Sequence, residues 1–362
     1  MALQALRILA GPRARAHLRE RGLAPQDVSV IPAAAGGPKG LILNPLDRFL
    51  FGHWLPQSDQ VVHLLGASIG AWRMASACRA DAVVALAQLC TDYIAQNYPH
   101  AQGQQPAAQV VSEAFGAKLV EHFGGVEAEV LGHPRFRLHV FTSRGRHVLN
   151  REGRWRTPLG YGGAFFSNIV SRRAMGGWLE RVVFSDPRDP LPLPLHDYRS
   201  CQVALTAANL QPAVLASCSI PFWLQAVHDI PGAPRGAYWD GGITDYHLHL
   251  RYDRMAHEDS AGLVLYPHFQ PTLVPGWLDK MLKHRHRATE ALDNVVVLAP
   301  RPEWIATLPG AKLPDRADFQ TWADDVPARM AAWARAVTES QRLADEFAAL
   351  VQAGRSIEAE SL

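Results

Sequence analysis

The sequence predicts an α/β protein with a mostly parallel central sheet that is covered by helices on both faces. The chain has 362 residues, of which 48% are hydrophobic and 19% are charged, so it can bury a large core. Strand-like apolar runs alternate with helical segments, and this alternation is typical of parallel sheets with helical connections. The apolar runs occupy residues 28–31, 61–65, 136–141, 263–266 and 295–298.

Two helical segments complete this outline. Residues 41–51 form a helical run between the first two strands. Residues 324–353 have helical spacing and few helix breakers, so their apolar side chains should pack on the body of the protein. These side chains are Trp333, Val337, Leu343 and Phe347. We expect one α/β domain over residues 1–300, with residues 301–362 forming a C-terminal helical extension packed on the same domain.

The second apolar run leads directly into residues 66–70, Gly-Ala-Ser-Ile-Gly, and a helix-forming run follows. Between a strand and a helix, G-x-S-x-G is the pattern of a nucleophile elbow. Gly66 and Gly70 lack the side chains that would obstruct a sharp turn, so Ser68 would be held at the carboxyl end of the sheet. Ser68 is therefore the candidate nucleophile, although an ordinary tight turn fits the same five residues.

A serine nucleophile needs donors for an oxyanion and a base for its own proton. The first strand runs into the small-residue segment 33–40, just before a helical run. Backbone N–H groups at the start of a helix favour a bound anion. A plain glycine-rich turn is the alternative for this loop. A Walker A loop is excluded, because the spacing G-x-x-x-x-G-K-[ST] is absent.

Two segments farther along the chain supply polar side chains. Residues 238–242, Tyr-Trp-Asp-Gly-Gly, end a short aromatic strand with the carboxylate of Asp240, in a pattern that also fits a turn between strands. In residues 216–223, a helical run that begins near Thr206 meets Pro221, which must end it.

In this order, the four segments resemble the motifs of the patatin-like phospholipase family, serine lipid acyl hydrolases with a Ser-Asp dyad in place of a triad. The family's oxyanion loop, D-G-G-G-x-[RK]-G, aligns with residues 34–40, its G-x-S-x-G with 66–70, its A-S-x-S-x-P with 216–221 and its D-G-[GA] with 240–242. The entry to the loop departs from the pattern, because Ala34 replaces the acidic residue and Ala35 the first glycine.

The resemblance implies a patatin-like three-layer fold and hydrolysis of carboxylic esters of phospholipids, lysophospholipids or neutral lipids through an acyl-enzyme. It implies that Ser68 is the nucleophile, that Asp240 is the general base, and that Gly36 and Gly37 form the oxyanion hole. The matched motifs give supporting roles to Lys39, Gly40, Gly66, Gly70, Ser217, Ser219, Pro221, Gly241 and Gly242. The resemblance implies neither a cofactor nor a metal.

Two other interpretations stay open. One keeps Ser68 in a Ser-His-Asp triad of the α/β-hydrolase type, with His268 or His284 as the base. The other is a non-catalytic lipid-binding protein that keeps the same fold, which the altered residues Ala34 and Ala35 would fit.

Histidines and basic residues add little to this assignment. His247 and His249 would share one face of a strand, as metal ligands can, but the chain has 16 histidines and an incidental H-x-H is unsurprising. The basic run at residues 283–287 fits a solvated helix face better than a contact with anionic lipid, although Leu273, Trp277 and Leu282 leave room for an interfacial surface.

Overall charge and cysteine content limit the binding partners and the cellular compartment that we expect for this protein. The net charge of +2 points to no charged partner, and we expect a lipid or acyl-ester substrate and no nucleic acid. The four cysteines lack paired or metal-ligand spacing. The chain has no basic leader and no apolar stretch of about 18 residues. We expect a cytoplasmic protein that meets membranes peripherally.

Overall fold

A single large sheet forms the centre of the protein. The computed structural model describes residues 3–98, 106–255 and 261–362. Its strands are β1 (Leu6–Ala10), β2 (Val28–Ala33), β3 (Val62–Ala67), β4 (Phe136–Gly145), β5 (Leu179–Ser185), β6 (Ser200–Ala204), β7 (Val227–His228), β8 (Ala237–Asp240), β9 (Leu263–Pro267), β10 (Val295–Pro300) and β11 (Glu360–Ser361). All five predicted apolar runs are strands of this sheet.

The order of the strands is β11-β1-β10-β9-β2-β3-β4-β5-β6, with β8 paired to β4 and β7 paired to β8. The neighbours from β10 through β9, β2 and β3 to β4 are all parallel, as are β5 with β6 and β1 with β11. Antiparallel pairs join β1 to β10, β4 to β5, β4 to β8 and β7 to β8. The protein is thus an α/β protein with a large mixed, mostly parallel sheet, as the sequence predicts.

Helices flank this sheet. They are α1 (Pro12–Arg21), α2 (Asn44–Phe49), α3 (Ile69–Ala77), α4 (Ala82–Ala95), α5 (Ala108–Phe123), α6 (Glu127–Gly132), α7 (Arg156–Val170), α8 (Arg172–Met175), α9 (Leu210–Cys218), α10 (Gly242–Asp245), α11 (Pro302–Ile305), α12 (Asp318–Thr321), α13 (Val326–Glu339) and α14 (Gln341–Gln352). Among the described residues, no helix combines the length and apolar character needed to cross a membrane.

The two predicted helical segments are less regular than expected. Residues 41–51 are divided between a 3-10 helix (Gly37–Leu43), α2 and a π-helical turn (Leu50–Trp54). The C-terminal segment is two helices, α13 and α14, which meet at Ser340. The Ser340 hydroxyl donates to the Val337 carbonyl at 2.7 Å, a local bond that competes with the helical ladder. Of the predicted core side chains in this segment, Trp333, Leu343 and Phe347 are buried and Val337 is half-buried.

The long strand β4 brings two distant parts of the chain together. Strand β3 pairs with the first part of β4, up to the partners Ala67 and Phe141. Strand β8 pairs with the next part, beginning at the partners Asp240 and Thr142. Because β5 occupies the opposite edge of β4 at these residues, β3 and β8 must share one edge, end to end. The residue after β3 is Ser68, so this register places Ser68 beside Asp240.

A buried ion pair fixes α3 against α2. Arg73, on α3, donates from Nε and Nη2 to the two carboxylate oxygens of Asp47 at 2.7 and 2.8 Å. Both side chains are almost completely buried. Removing either side chain would leave the other charge buried without a partner, and this is costly because water cannot take the partner's place.

We expect Asp47→Ala to lower the free energy of unfolding by about 3–5 kcal/mol, since it leaves the Arg73 guanidinium buried and unpaired. Urea denaturation followed by circular dichroism measures this change. The matched control is Glu121→Ala, which removes the exposed ion pair of Glu121 with Lys118 and should cost far less, because solvent screens an exposed pair. Equal losses in the two variants would contradict a structural role for the buried pair.

Candidate functional site

Ser68 lies at a sharp turn between β3 and α3. Its backbone has φ 57° and ψ −129°, a conformation that residues with side chains rarely adopt. A methyl group at Gly66 would lie 2.4 Å from the Ala71 Cα, and one at Gly70 would lie 1.9 Å from the Ala33 carbonyl oxygen. Neither contact is sterically allowed, so the turn requires glycine at both positions. The predicted strand–turn–helix arrangement is present.

The side chain of Ser68 contacts the carboxylate predicted to be its partner. Ser68 Oγ donates a hydrogen bond to Asp240 Oδ2 at 2.6 Å, and both residues are buried. The other carboxylate oxygen accepts from the Gly242 amide at 2.7 Å. Burial raises the pKa of Asp240, and the hydrogen bond from Ser68 and the positive charge of Arg316 act against that rise. The arrangement is a buried hydroxyl held directly on a carboxylate.

Ser217 closes the junction between β3 and β8. Its hydroxyl accepts from the Ser68 amide at 2.9 Å and donates to the Phe141 carbonyl at 2.6 Å. Its own carbonyl accepts from the Gly241 amide at 3.1 Å. A methyl group at Gly241 would lie 2.0 Å from the Phe141 carbonyl oxygen, so only glycine fits there. Ser217 and Gly241 therefore hold Ser68 and Asp240 in register.

Ser219 and Pro221 belong to the same segment but have different contacts. The Ser219 carbonyl accepts from the Asp240 amide at 2.9 Å, while its hydroxyl donates to the Leu215 carbonyl at 3.0 Å. Helix α9 ends at Cys218, before Pro221, as the proline requires.

The predicted oxyanion loop follows β2 and lies against the elbow. The Ala35 amide donates to the Tyr246 carbonyl at 2.9 Å. This bond holds the start of the loop, where Ala34 and Ala35 depart from the family pattern. Gly37 has φ +56° and begins a 3-10 helix, whose first amides have no partner within that helix. A methyl group at Gly40 would lie 3.4 Å from Ile69 Cγ2, so this helix packs on the residue after Ser68. Gly36 packs against the ring of Phe269.

Three cations surround this loop and Asp240. A methyl group at Gly37 would lie 3.2 Å from Arg316 Nε, so Arg316 flanks the loop. Lys39 Nζ is 5.8 Å from the ring centre of Phe269, and Lys280 Nζ is 4.1 Å from that of Tyr246. Within the described chain, none of the three cations pairs with a carboxylate.

Burial, together with the charges of Arg316 and Lys39, lowers the pKa of Lys280 to about 8. Burial likewise lowers the pKa of Lys39. The lowered pKa values of Lys39 and Lys280 reflect poor solvation of their ammonium groups, which the charges of Asp315 and Asp240, respectively, offset only in part. Sequence reasoning found Lys39 and missed the other two. Neither Lys280 nor Arg316 belongs to a motif, so no local sequence pattern identifies them.

A cavity of about 760 Å³ extends from Ser68. Arg316, Tyr93 and Tyr98 contribute polar groups to its wall. Its apolar lining includes Phe115, Ile220, Trp223, Leu224, Phe319 and Trp322. These residues come from α5, the segment after α9 and the C-terminal region. The sequence did not predict this cavity, because its walls come from segments far apart in the chain.

The histidines considered as bases do not reach Ser68. His268 is buried, and its Nδ1 lies 2.7 Å from the Gln270 carbonyl oxygen. His284 is exposed. In the part of the chain that the structure describes, no histidine forms a hydrogen bond with Ser68 or Asp240.

The other histidine and basic segments have separate contacts. His247 Nδ1 accepts from the Val274 amide at 2.9 Å, and His249 Nε2 lies 3.2 Å from Thr289 Oγ1. No group of three or more potential metal ligands occurs in residues 3–98, 106–255 and 261–362. Within the basic run, Arg285 pairs with Asp279 at 2.8 Å.

Comparison of the sequence with models of known protein families gives no match, and comparison with curated proteins gives no significant match. The function is therefore inferred from the residues and geometry of the site.

We expect Ser217→Ala to lower the free energy of unfolding by about 1–3 kcal/mol, because the buried Ser68 amide and Phe141 carbonyl both lose a partner. Ser219→Ala is the matched control. It removes one hydroxyl bond to a carbonyl that is partly exposed to water, so the loss should be less than about 1 kcal/mol. Chemical denaturation of both variants measures the difference, and a larger loss for Ser219→Ala would refute this account of the junction.

Proposed function

We propose that the protein is a patatin-like serine hydrolase that cleaves acyl esters of lipids, with Ser68 as nucleophile and Asp240 as general base. The single observation that carries this proposal is the 2.6 Å hydrogen bond from Ser68 Oγ to Asp240 Oδ2 at a buried nucleophile elbow. A bare hydroxyl is a weak nucleophile, and a base in direct contact is what activates it.

In the acylation step, Ser68 Oγ attacks the ester carbonyl carbon while its proton passes to Asp240. The new C–O bond gives a tetrahedral intermediate, whose negative oxygen would be held by the amides of Gly36 and Gly37. One such donor is typically worth about 2.7–4 kcal/mol of transition-state stabilisation. The intermediate collapses as the ester C–O bond breaks, and the leaving alcohol takes the proton from Asp240.

Deacylation repeats these steps with water. Asp240 accepts a proton from the water molecule as its oxygen attacks the acyl-enzyme, and the proton then returns to Ser68 Oγ as the fatty acid leaves. An exposed aspartate, with a pKa of about 3.9, is a poor base for this chemistry. The raised pKa of buried Asp240 makes it a stronger base, and burial also keeps bulk water from competing for its proton.

The surroundings of the dyad support a lipid substrate. The cavity that begins at Ser68 is mostly lined by apolar and aromatic side chains, which suit an acyl chain. Arg316, Lys39 and Lys280 stand beside the dyad without carboxylate partners, and they favour an ester with a negatively charged group nearby. Phospholipids and lysophospholipids fit these two features better than neutral lipids do. The sheet and its flanking helices are also compatible with the three-layer patatin-like fold.

We expect a fluorophosphonate probe to label Ser68 covalently, because the probe reacts with serines activated by a base. Mass spectrometry of the labelled peptide locates the adduct, and hydrolysis of a chromogenic ester should disappear in parallel. The Ser68→Ala variant serves as the blank, with Ser219→Ala as a control at a neighbouring buried serine whose hydroxyl bonds only the Leu215 carbonyl. Labelling at an unchanged rate in Ser68→Ala would overturn the proposal, and a folded protein without labelling or hydrolysis would support a non-catalytic lipid-binding role.

We expect Asp240→Asn to reduce kcat by about 10²–10⁴-fold while the protein stays folded, because the amide can bond Ser68 but cannot accept its proton. His268→Gln should retain turnover, which separates a dyad from a triad. In the unsubstituted protein, kcat/KM should fall as the pH drops through the raised pKa of Asp240, since only the carboxylate acts as base. Near-normal turnover in Asp240→Asn, with loss in His268→Gln, would show that the base is a histidine.

A further inference from the structure

Helix α7 is apolar on both of its sides. Its inner side is buried and consists of Thr157, Gly160, Tyr161, Ala164 and Asn168. On the opposite side, Leu159 is 67% exposed, Phe166 69% and Val170 81%, and Trp155 just before the helix is 78% exposed. At about 100° per residue, these four side chains fall within roughly 60° of one another. A helix that is apolar all round is expected to be covered on all sides.

Two further apolar side chains are exposed on segments that contact the inner side of α7. Phe222 is exposed, and its ring centre lies 6.1 Å from that of buried Tyr161. Met281 is also exposed and follows the 3-10 helix Trp277–Asp279, which is joined to α7 by a 2.8 Å hydrogen bond from Asn168 to Asp279. We infer that these two side chains and the exposed side chains of α7 act together, and we call the set the apolar face; it consists of Trp155, Leu159, Phe166, Val170, Phe222 and Met281.

The segments that carry the apolar face contain basic residues but no acidic ones. Residues 153–179 include no aspartate or glutamate, and neither do residues 280–289. Five cations in these segments are exposed and make no ion pair with any described residue: Arg154, Arg156, Arg173, Lys283 and Arg287. An apolar surface with a basic rim matches the two chemical features of an anionic membrane, which are its acyl interior and its negative headgroups.

We propose that the apolar face docks on membranes that contain anionic lipid. The exposed cations around the apolar face argue against a second copy of the chain as its partner. A symmetric dimer would place the same patch on itself, so the cations of the two rims would face each other, and the segments that carry them contain no acidic residue to pair with them. A lipid surface supplies the opposite charge instead.

The position of the face relative to the cavity fits this role. Phe222 lies in the sequence between Ile220 and Trp223, and both of these neighbours line the cavity that begins at Ser68. Met281 is adjacent to Lys280, one of the three cations beside the dyad. Docking through this face would therefore bring two residues that line the cavity, and Lys280, close to the lipid. The docking itself does not depend on catalysis.

The test measures co-sedimentation of the protein with sucrose-loaded vesicles, in the Ser68→Ala background so that the lipid is not hydrolysed. The vesicles are phosphatidylcholine alone or an equimolar mixture with phosphatidylglycerol. We expect binding to the mixed vesicles, weakened by salt. The double substitution Leu159→Asp and Phe166→Asp should weaken that binding by about tenfold or more, because it removes apolar contact and adds negative charge.

The matched control is Val84→Asp with Val120→Asp, at positions on α4 and α5 that are 61% and 59% exposed and lie outside the apolar face. Vesicle binding should be unchanged in this control, and thermal unfolding should be similar for both double variants. Equal vesicle binding with and without the face substitutions would overturn the proposal. So would a dimer in sedimentation equilibrium that the same substitutions dissociate. Because hydrolysis is not measured, failure here leaves the proposed activity to be judged by labelling of Ser68.

Discussion

The site depends on one edge of β4 that two strands share. Strand β3 ends opposite Phe141, and β8 occupies the same edge from Thr142 onward. Consecutive residues of one strand are about 3.3 Å apart and point to opposite faces. A shift of either partner strand by one residue would therefore move Ser68 away from Asp240 and turn a side chain to the wrong face. The 2.6 Å contact between these residues is a consequence of register in the sheet.

Such a junction leaves a gap in the hydrogen-bond ladder, and the chain fills it with side-chain bonds. The hydroxyl of Ser217 joins the Ser68 amide to the Phe141 carbonyl, so neither buried group lacks a partner. Farther out, buried Arg181 forms a two-bond ion pair with Asp245, at 2.8 and 2.6 Å, and so ties α10 to β5. Helix α10 begins two residues after Asp240, so this ion pair holds the chain next to the carboxylate in place. The Arg73–Asp47 pair does the same for the turn at Ser68, because it anchors α3.

The sequence predicted the parts of the fold and site whose signal is local. Strands β2 and β3 are mostly apolar because all but one residue of each is buried, and the turn at Ser68 is marked by its glycines. Strand β5 was missed because Glu180 and Arg181 interrupt its apolar pattern, although both are buried and paired. Arg316 and Lys280 were missed for another reason. They reach the dyad from the C-terminal part of the chain, and only the tertiary structure brings them there.

The charges around Ser68 and Asp240 explain how a buried site can favour the proposed reaction. Asp240 is buried, which raises its pKa and opposes the ionised form that a base requires. The positive charges of Arg316 and Lys280 oppose that rise, although burial lowers the pKa of Lys280 itself. None of the three cations forms an ion pair with a carboxylate of the described residues. In the proposed reaction, the site without substrate therefore carries uncompensated positive charge, which a neutral ester would leave in place. The negative oxygen of the tetrahedral intermediate and an anionic headgroup would both reduce it, so the same cations would favour the transition state and select the substrate.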